Sequence, residues 1–348
     1  MSVKIAVAGA GIYGATVATR LAELGHSVDL YDPLGVLRAA SAINQHRVHA
    51  GYHYPRDAET IAEIQQCRAE FHRCFQPAIV AGTLNYYAIP QEGSRTPPAV
   101  YEEVMERHGL PLTPCAPAWM NFRYIQKCYQ VDEQIYDSTI LRRILEDRIR
   151  SRGVRLHLSS FLPGMRAAYD VVVWALYGLG PSRSIFHAAK YQVAEKVLIR
   201  PPAHLRGICL VVVDGPFTAF DAYGNSAMAL FGSALHTNHW STVDPDFVVP
   251  PQYAAVLNGP SYVPVPFTHF EILRRDCCLA VPDQKDAVYI GSRFTMRVVE
   301  DDPAGDRRTL RVTESAPGEF HIFSGKVVGA VKAAQLICER IANHAGTP

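Results

Sequence analysis

The sequence predicts an α/β protein in which a parallel sheet packed with helices is joined to a second, antiparallel sheet. Three observations carry that expectation. Residues 3–32 read as strand, glycine turn, helix and strand. A second apolar strand, residues 169–178, again runs into a glycine turn. Between Lys190 and His239, short β-rich runs alternate with turn residues.

Val3, Ile5, Ala6, Val7 and Ala8 make the short apolar run of a buried parallel strand. Gly9, Gly11 and Gly14 follow in GxGxxG spacing. Residues 15–24 continue as a helix with Val17, Leu21 and Leu24 on one face, and Gly25 ends it. Residues 27–31 are a second strand, closed by Asp32. Gly9 permits the tight turn, Gly11 lets a pyrophosphate approach the backbone, and Gly14 lets the helix lie against the strand. The helix N-terminus offers N–H groups and partial positive charge to phosphates. Asp32 is placed to accept from the hydroxyls of an adenosine ribose. Its negative charge disfavours a 2′-phosphate, and with it NADP. The unit reads as a Rossmann-type dinucleotide site. The alternative is a glycine-rich turn in an unrelated α/β protein.

The 348 residues suffice for two joined domains. Lys plus Arg number 34 and Asp plus Glu 33, so the net charge of +1 gives no electrostatic case for nucleic acid or a membrane surface. The longest apolar run, residues 171–177, is far shorter than the roughly 20 residues of a membrane helix. No basic region precedes an apolar stretch at the start, so a signal peptide is not expected. The eight cysteines include no CxxC pair, and metal ligation is not expected. Buried thiols in a reducing cytoplasm are the expectation.

After Asp32 and a loop comes the densest polar stretch: Asn44, Gln45, His46, Arg47, Val48, His49, Ala50, Gly51, Tyr52, His53, Tyr54, Pro55 and Arg56. It directly follows the ribose carboxylate and is expected to run along the cofactor toward its reactive end. The alternative is a solvated loop. Residues 57–75 read as a helix with Asp57 or Glu59 in its first turn. Strands follow within 79–89, then helices at 99–108 and 138–152, the latter capped by Asp137 or Ser138. Strands are expected at 154–158, 169–178, 191–199, 208–213, 227–232, 277–281 and 287–294. The chain closes with a strand from Phe320, a turn at Ser324 and Gly325, and a helix through Lys326, Val327 and Val328 to Asn343. That helix start is a second anion site, suited to a phosphate or to the negative end of a reduced isoalloxazine.

These blocks, in this order, resemble the FAD-dependent oxidoreductases of the D-amino-acid oxidase and glycine oxidase superfamily. The segment from His49 to Pro55 is most similar to the His-Ala-Gly-x-Tyr-Tyr stretch of L-2-hydroxyglutarate dehydrogenase-like members. Arg56 stands where that stretch has glycine, and the chain is short for that subgroup. The resemblance implies an FAD-binding domain from 1–76, 128–184 and 286–348, and a substrate domain from 77–127 and 185–285. It implies noncovalent FAD, with covalent attachment through His49 as the alternative. It also implies hydride removal from a CH–OH or CH–NH carbon, with oxygen or another acceptor taking the electrons. Cofactor contacts are expected from Gly9, Gly11, Ile12, Tyr13, Gly14 and Asp32. The polar stretch adds Gln45, His46, Arg47 and Val48, and the second glycine turn adds Ala175, Tyr177 and Gly178. Arg293, Ser324, Gly325, Lys326, Val327 and Val328 complete the set.

A neutral histidine suits the removal of a hydroxyl proton near pH 7, and His49, His53, His236 and His239 are the candidates. Each has a structural role as its alternative. Arg47, Arg56 and Arg293 could grip an anionic substrate bidentately. Tyr52, Tyr177, Tyr223 and Trp240 could line its pocket. A flavin-dependent isomerase or mutase, an NAD-dependent dehydrogenase and a noncatalytic nucleotide-binding protein are the competing readings. The closing helix argues against the nicotinamide enzyme.

Overall fold

The computed structural model describes residues 2–302, 307–323 and 325–345. In chain order the strands are β1 (Lys4–Ala8), β2 (Ser27–Tyr31), β3 (Arg47–Val48), β4 (Leu84–Pro90), β5 (Thr113–Pro114), β6 (Ile125–Val131), β7 (Gln134–Ile135), β8 (Arg155–His157) and β9 (Val171–Trp174). They continue as β10 (Ala189–Arg200), β11 (Ile208–Val212), β12 (Thr218–Ala222), β13 (Ala229–Ser233), β14 (Asn238–Thr242), β15 (Val288–Glu300), β16 (Arg311–Ala316) and β17 (Glu319–Phe323). The helices are α1 (Ile12–Glu23), α2 (Ala58–Phe75), α3 (Pro98–Arg107), α4 (Ser138–Ser151), α5 (Pro251–Ala254), α6 (Phe270–Ala280) and α7 (Ala330–Ala345).

Among the described residues, one sheet has the order β16-β17-β9-β1-β2-β8. All its neighbours run parallel except β16 and β17. α1, α2, α4 and α7 bury their apolar sides in the core on this sheet through residues such as Val17, Leu21, Phe71, Leu145 and Ile337. Asp57 caps α2 by accepting from Thr60 N at 3.1 Å, and Asp137 caps α4 by accepting from Thr139 N at 2.8 Å. α1 begins at Ile12, three residues before the expected start.

The second sheet has the order β14-β10-β13-β12-β11-β4-β6-β5, with β15 along the other edge of β10. It departs from a purely antiparallel sheet at one place, because β4 and β11 run parallel. The expected boundary at 286 also shifts. β15 pairs with β10 over nearly its whole length, from Ala189↔Glu300 to Arg200↔Val288, so the chain returns to the first sheet only at β16. Of residues 277–281, expected as strand, 277–280 form the end of α6 and Val281 follows it. Phe270, Leu273, Cys277 and Ala280 are buried at helical spacing there. A short apolar run does not separate the two periods, and the packing of this stripe decides for helix.

Candidate active site

A cavity of about 910 Å³ lies between the two sheets, near the upper end of the range for cofactor and ligand pockets. Its first end is built from backbone. Gly9, with φ of +100°, turns the chain out of β1, and its N–H donates to Tyr31 O at 2.8 Å. A Cβ on Gly14 would overlap the Gly9 carbonyl oxygen, so only glycine allows α1 to start so close to β1. Asp32 ties the turn down, its two carboxylate oxygens accepting from Ala10 N and Leu34 N, each at 2.8 Å. Ser41 Oγ accepts from Ile12 N at 3.0 Å. Gly9, Gly11, Ile12, Tyr13 and Asp32 all face the cavity.

The polar stretch forms the middle. β3 pairs with β7, which brings Arg47 to Glu133. Arg47 Nη1 donates to Glu133 Oε2 at 2.7 Å, and Arg47 also pairs with Asp221 on β12. All three side chains are buried. Glu133 further accepts from Tyr87 Oη at 2.7 Å and from Ala50 N at 2.9 Å. Such satisfaction is what a buried ion pair requires. Burial pushes the Glu133 carboxyl up, but His49, Arg47 and the Ala50 N–H outweigh it and hold it below the usual range. At Asp221 burial prevails over Arg47 and raises the carboxyl.

His49 and His53 both line the cavity, with ring centroids 5.6 Å apart. Burial, with Lys326 nearby, brings His49 down to about 4 although its Nδ1 lies 3.4 Å from Glu133. Burial, His49 and Lys326 lower His53 as well. Both rings are neutral at pH 7. Lys326, over the Tyr54 ring at 4.6 Å, is brought down to about 7 by burial alone. Gly325, Val327, Ala175 and Tyr177 complete this wall, and the Gln45 amide occupies the space that a Cβ on Gly232 would need.

The second sheet is the roof. Lys190, Gln192, Ala194 and Lys196 alternate along β10 and face the cavity. Val211, Val213 and Ala219 give the roof an apolar part. At the mouth Arg56 pairs with Asp214, which also accepts from Thr96 Oγ1 at 2.9 Å.

Several expected site residues lie elsewhere. His239 is buried on the opposite face of β10, where Nε2 is 2.7 Å from Glu195 Oε2, and His236 pairs with Asp276 at 3.1 Å. Neither lines the cavity. Glu195, His239 and His269 cluster closely enough to suggest a metal site. However, Glu195 already accepts from Thr268, Ser292, His269 N and His239. The two imidazoles stack at 3.7 Å and 13°, so the ring planes that hold the nitrogen lone pairs are nearly parallel. Trp240 packs on Phe247, Tyr52 donates to Pro111 O at 3.0 Å, and Tyr223 lies beside His46 and Tyr262. Arg293 donates to the carbonyls of Gly259, Arg38 and Ala42 at 2.8, 3.2 and 3.4 Å, fastening the loop after β2 to β15. His46, Val48, Gly178 and Val328 support the wall from behind, and Ser324 lies outside the described residues.

Sequence reasoning missed Ser41, Glu133, Asp221 and Lys196. Asp221 carried a readable signal, a lone carboxylate in the apolar strand β12. Lys196 carried another, the polar alternation along β10.

The model of the family described as FAD dependent oxidoreductase matches residues 4–183. An FAD-dependent monooxygenase of Fusarium mangiferae is 26% identical over 148 residues, which cover 42% of this chain and 40% of that protein. The chain therefore aligns with less than half the length of that relative. The glycine oxidase of Geobacillus kaustophilus is 15% identical, with a TM-score of 0.71 over 98% of this chain and 95% of its own. The L-amino acid deaminase of Proteus vulgaris is 13% identical, with a TM-score of 0.67 over 98% and 94%. At these identities the likeness is one of fold. No helix among the described residues is long and apolar enough to cross a membrane.

Proposed function

Because the chain belongs to the FAD dependent oxidoreductase family, with FAD as cofactor, we propose that it removes hydride from a CH–OH or CH–NH carbon of a small polar metabolite. A hydroxyl substrate is preferred over an amine. The observation that carries the reading is the juxtaposition of a glycine-built nucleotide cradle, two neutral histidines and a polar roof in one cavity.

Bound FAD supplies the hydride acceptor. Gly9, Gly11 and Ile12 would hold its pyrophosphate end, and Asp32 would hold the ribose through lone pairs not used by Ala10 and Leu34. The dipole at the start of α1 would complement the phosphates, the Ile12 N–H being held by Ser41 Oγ. Lys326, at the wall next to the closing helix, would offer a proton and positive charge to an anionic group of bound FAD. His53 is the proton acceptor in this reading, because His49 Nδ1 faces the Glu133 carboxylate at 3.4 Å, although the Nδ1 atoms of both rings are buried without a hydrogen-bond partner among the described residues. The Arg47–Glu133–Asp221 network fixes the segment that carries both rings. The sheet above shields the site from water, and its polar row orients the substrate. FAD is noncovalent in this reading, with His49 as the point of attachment if a covalent bond forms.

The test is the visible spectrum of the purified protein before and after acid precipitation, followed by anaerobic addition of hydroxy and amino compounds. Flavin bands that pass into the supernatant and bleach with a hydroxy or amino compound support the reading. Colour kept in the pellet and lost in His49→Ala would place a covalent bond there. Isomerisation without bleaching or need of an acceptor would favour a mutase instead.

A further inference from the structure

We propose that Lys196 fixes a negatively charged group of the substrate, a carboxylate or a phosphate, against the roof of the cavity. This deepens the oxidoreductase reading and rests on it for the use of the cavity.

The pleat of β10 sets the direction of the side chain. Lys190, Gln192, Ala194 and Lys196 face the cavity. The intervening Glu195 points to the other face, into its bonds with Thr268, Ser292 and His239. Among the described residues no acceptor hydrogen-bonds Lys196 Nζ. Asp221 and Glu195 act on it electrostatically, yet both are already engaged, Asp221 by Arg47 and Glu195 by its own donors. Arg297, its partner in charge on β15, repels it, and burial together with that repulsion brings the ammonium down to about 8. An ammonium that faces the cavity beside another cation, with no hydrogen-bond acceptor among the described residues, is an arrangement that an anion would relieve.

The arginines that the sequence offered for this task are occupied. Arg47 is locked to Glu133 and Asp221, Arg56 pairs with Asp214, and Arg293 bonds three backbone carbonyls. The roof is also divided. Lys196 and Gln192 provide donors on one side, while Val211, Val213 and Ala219 offer only apolar surface on the other. An organic anion with an apolar body matches that division. A charge-assisted hydrogen bond in such a setting is worth roughly ten- to a hundredfold in affinity.

The experiment titrates FAD-loaded protein with sodium acetate and with inorganic phosphate, at ionic strength held constant with sodium chloride. Flavin difference spectra and calorimetry are both recorded, so the result does not depend on colour alone. Saturable binding of acetate or phosphate is expected, at least tenfold weaker in Lys196→Met and within about threefold of wild type in Lys196→Arg. Acetate alone would mark a carboxylate site, and phosphate alone a phosphate site. If Lys196→Met does not fold or hold FAD, Lys196→Gln carries the same comparison. Wild type that binds neither anion, or an uncharged variant that binds as wild type does, overturns the proposal. Anion binding through Lys196 in a protein that no hydroxy or amino compound bleaches would instead count against the oxidoreductase chemistry and leave the anion site in place.

Discussion

The two sheets build opposite halves of one cavity from different materials. At the β1–α1 end the parts that matter are backbone: a glycine at positive φ, a helix start and a carboxylate that holds the turn. At the roof they are side chains set out by the pleat of β10 and by Asp221 on β12. In the proposed reading the backbone half binds what all dinucleotides share, and its chemistry follows from spacing alone. In the same reading the side-chain half sets the substrate, and its chemistry appears only when strands distant in sequence are brought into register. Arg47 joins the halves, since its partners Glu133 and Asp221 come from the polar-segment side and from the roof.

The strongest test of that joint is Arg47→Met. It leaves two buried carboxylates without their cation, and breaking such a pair costs about 3–5 kcal/mol. Denaturant unfolding should show a loss of that order, with FAD retention falling in parallel. A loss under about 1 kcal/mol would mean the two halves are held together elsewhere.

A second test uses acid. His46 is buried between Tyr136 and Tyr223 and is brought down to about 4 by burial, and His49 to the same level. Each histidine therefore takes up its proton more readily in the unfolded chain, whose ordinary value is about 6.5. Between pH 6.5 and about 4 the unfolded state binds more protons, so stability declines as the pH falls through that window. His46→Asn, a residue that tolerates the positive φ of 56° found there, should flatten the decline. An unchanged slope would locate the acid sensitivity outside the polar segment.

The smallest expected effect separates the histidines. His236 and Asp276 form a partly exposed pair, worth under about 1 kcal/mol. His236→Asn should leave anaerobic bleaching unchanged, whereas His53→Gln should slow it by about a hundredfold or more. Equal effects would erase the distinction between cavity and far face.

The same contrast explains how much could be read in advance. The glycine spacing, Asp32 and the polar residues offered at the starts of α2 and α4 act locally, so β1, β2, β8, β9, β17 and the helices on them were legible, whereas β16 was not read in advance. Residues 277–281 were not, because a short apolar run fits either period until Leu273 and Phe270 are seen to share its buried face. Four histidines were equivalent as residue types. Only the pleat, which turns Glu195 and His239 away from the cavity, separates them. Arginines 47, 56 and 293 looked suited to an anion, and each is occupied by a partner far along the chain. Lys196 was hidden for the opposite reason: its significance lies in having no such partner among the described residues.

The most direct test of the central claim, that FAD sits in the cradle under the roof, is a titration of FAD-free protein followed by flavin fluorescence, run on wild type, Gly14→Ala and Lys196→Met. The account predicts one tightly held FAD per chain in wild type and in Lys196→Met, and loss of binding in Gly14→Ala, whose Cβ would overlap the Gly9 carbonyl. FAD uptake by Gly14→Ala equal to that of wild type, in a folded protein, would contradict it.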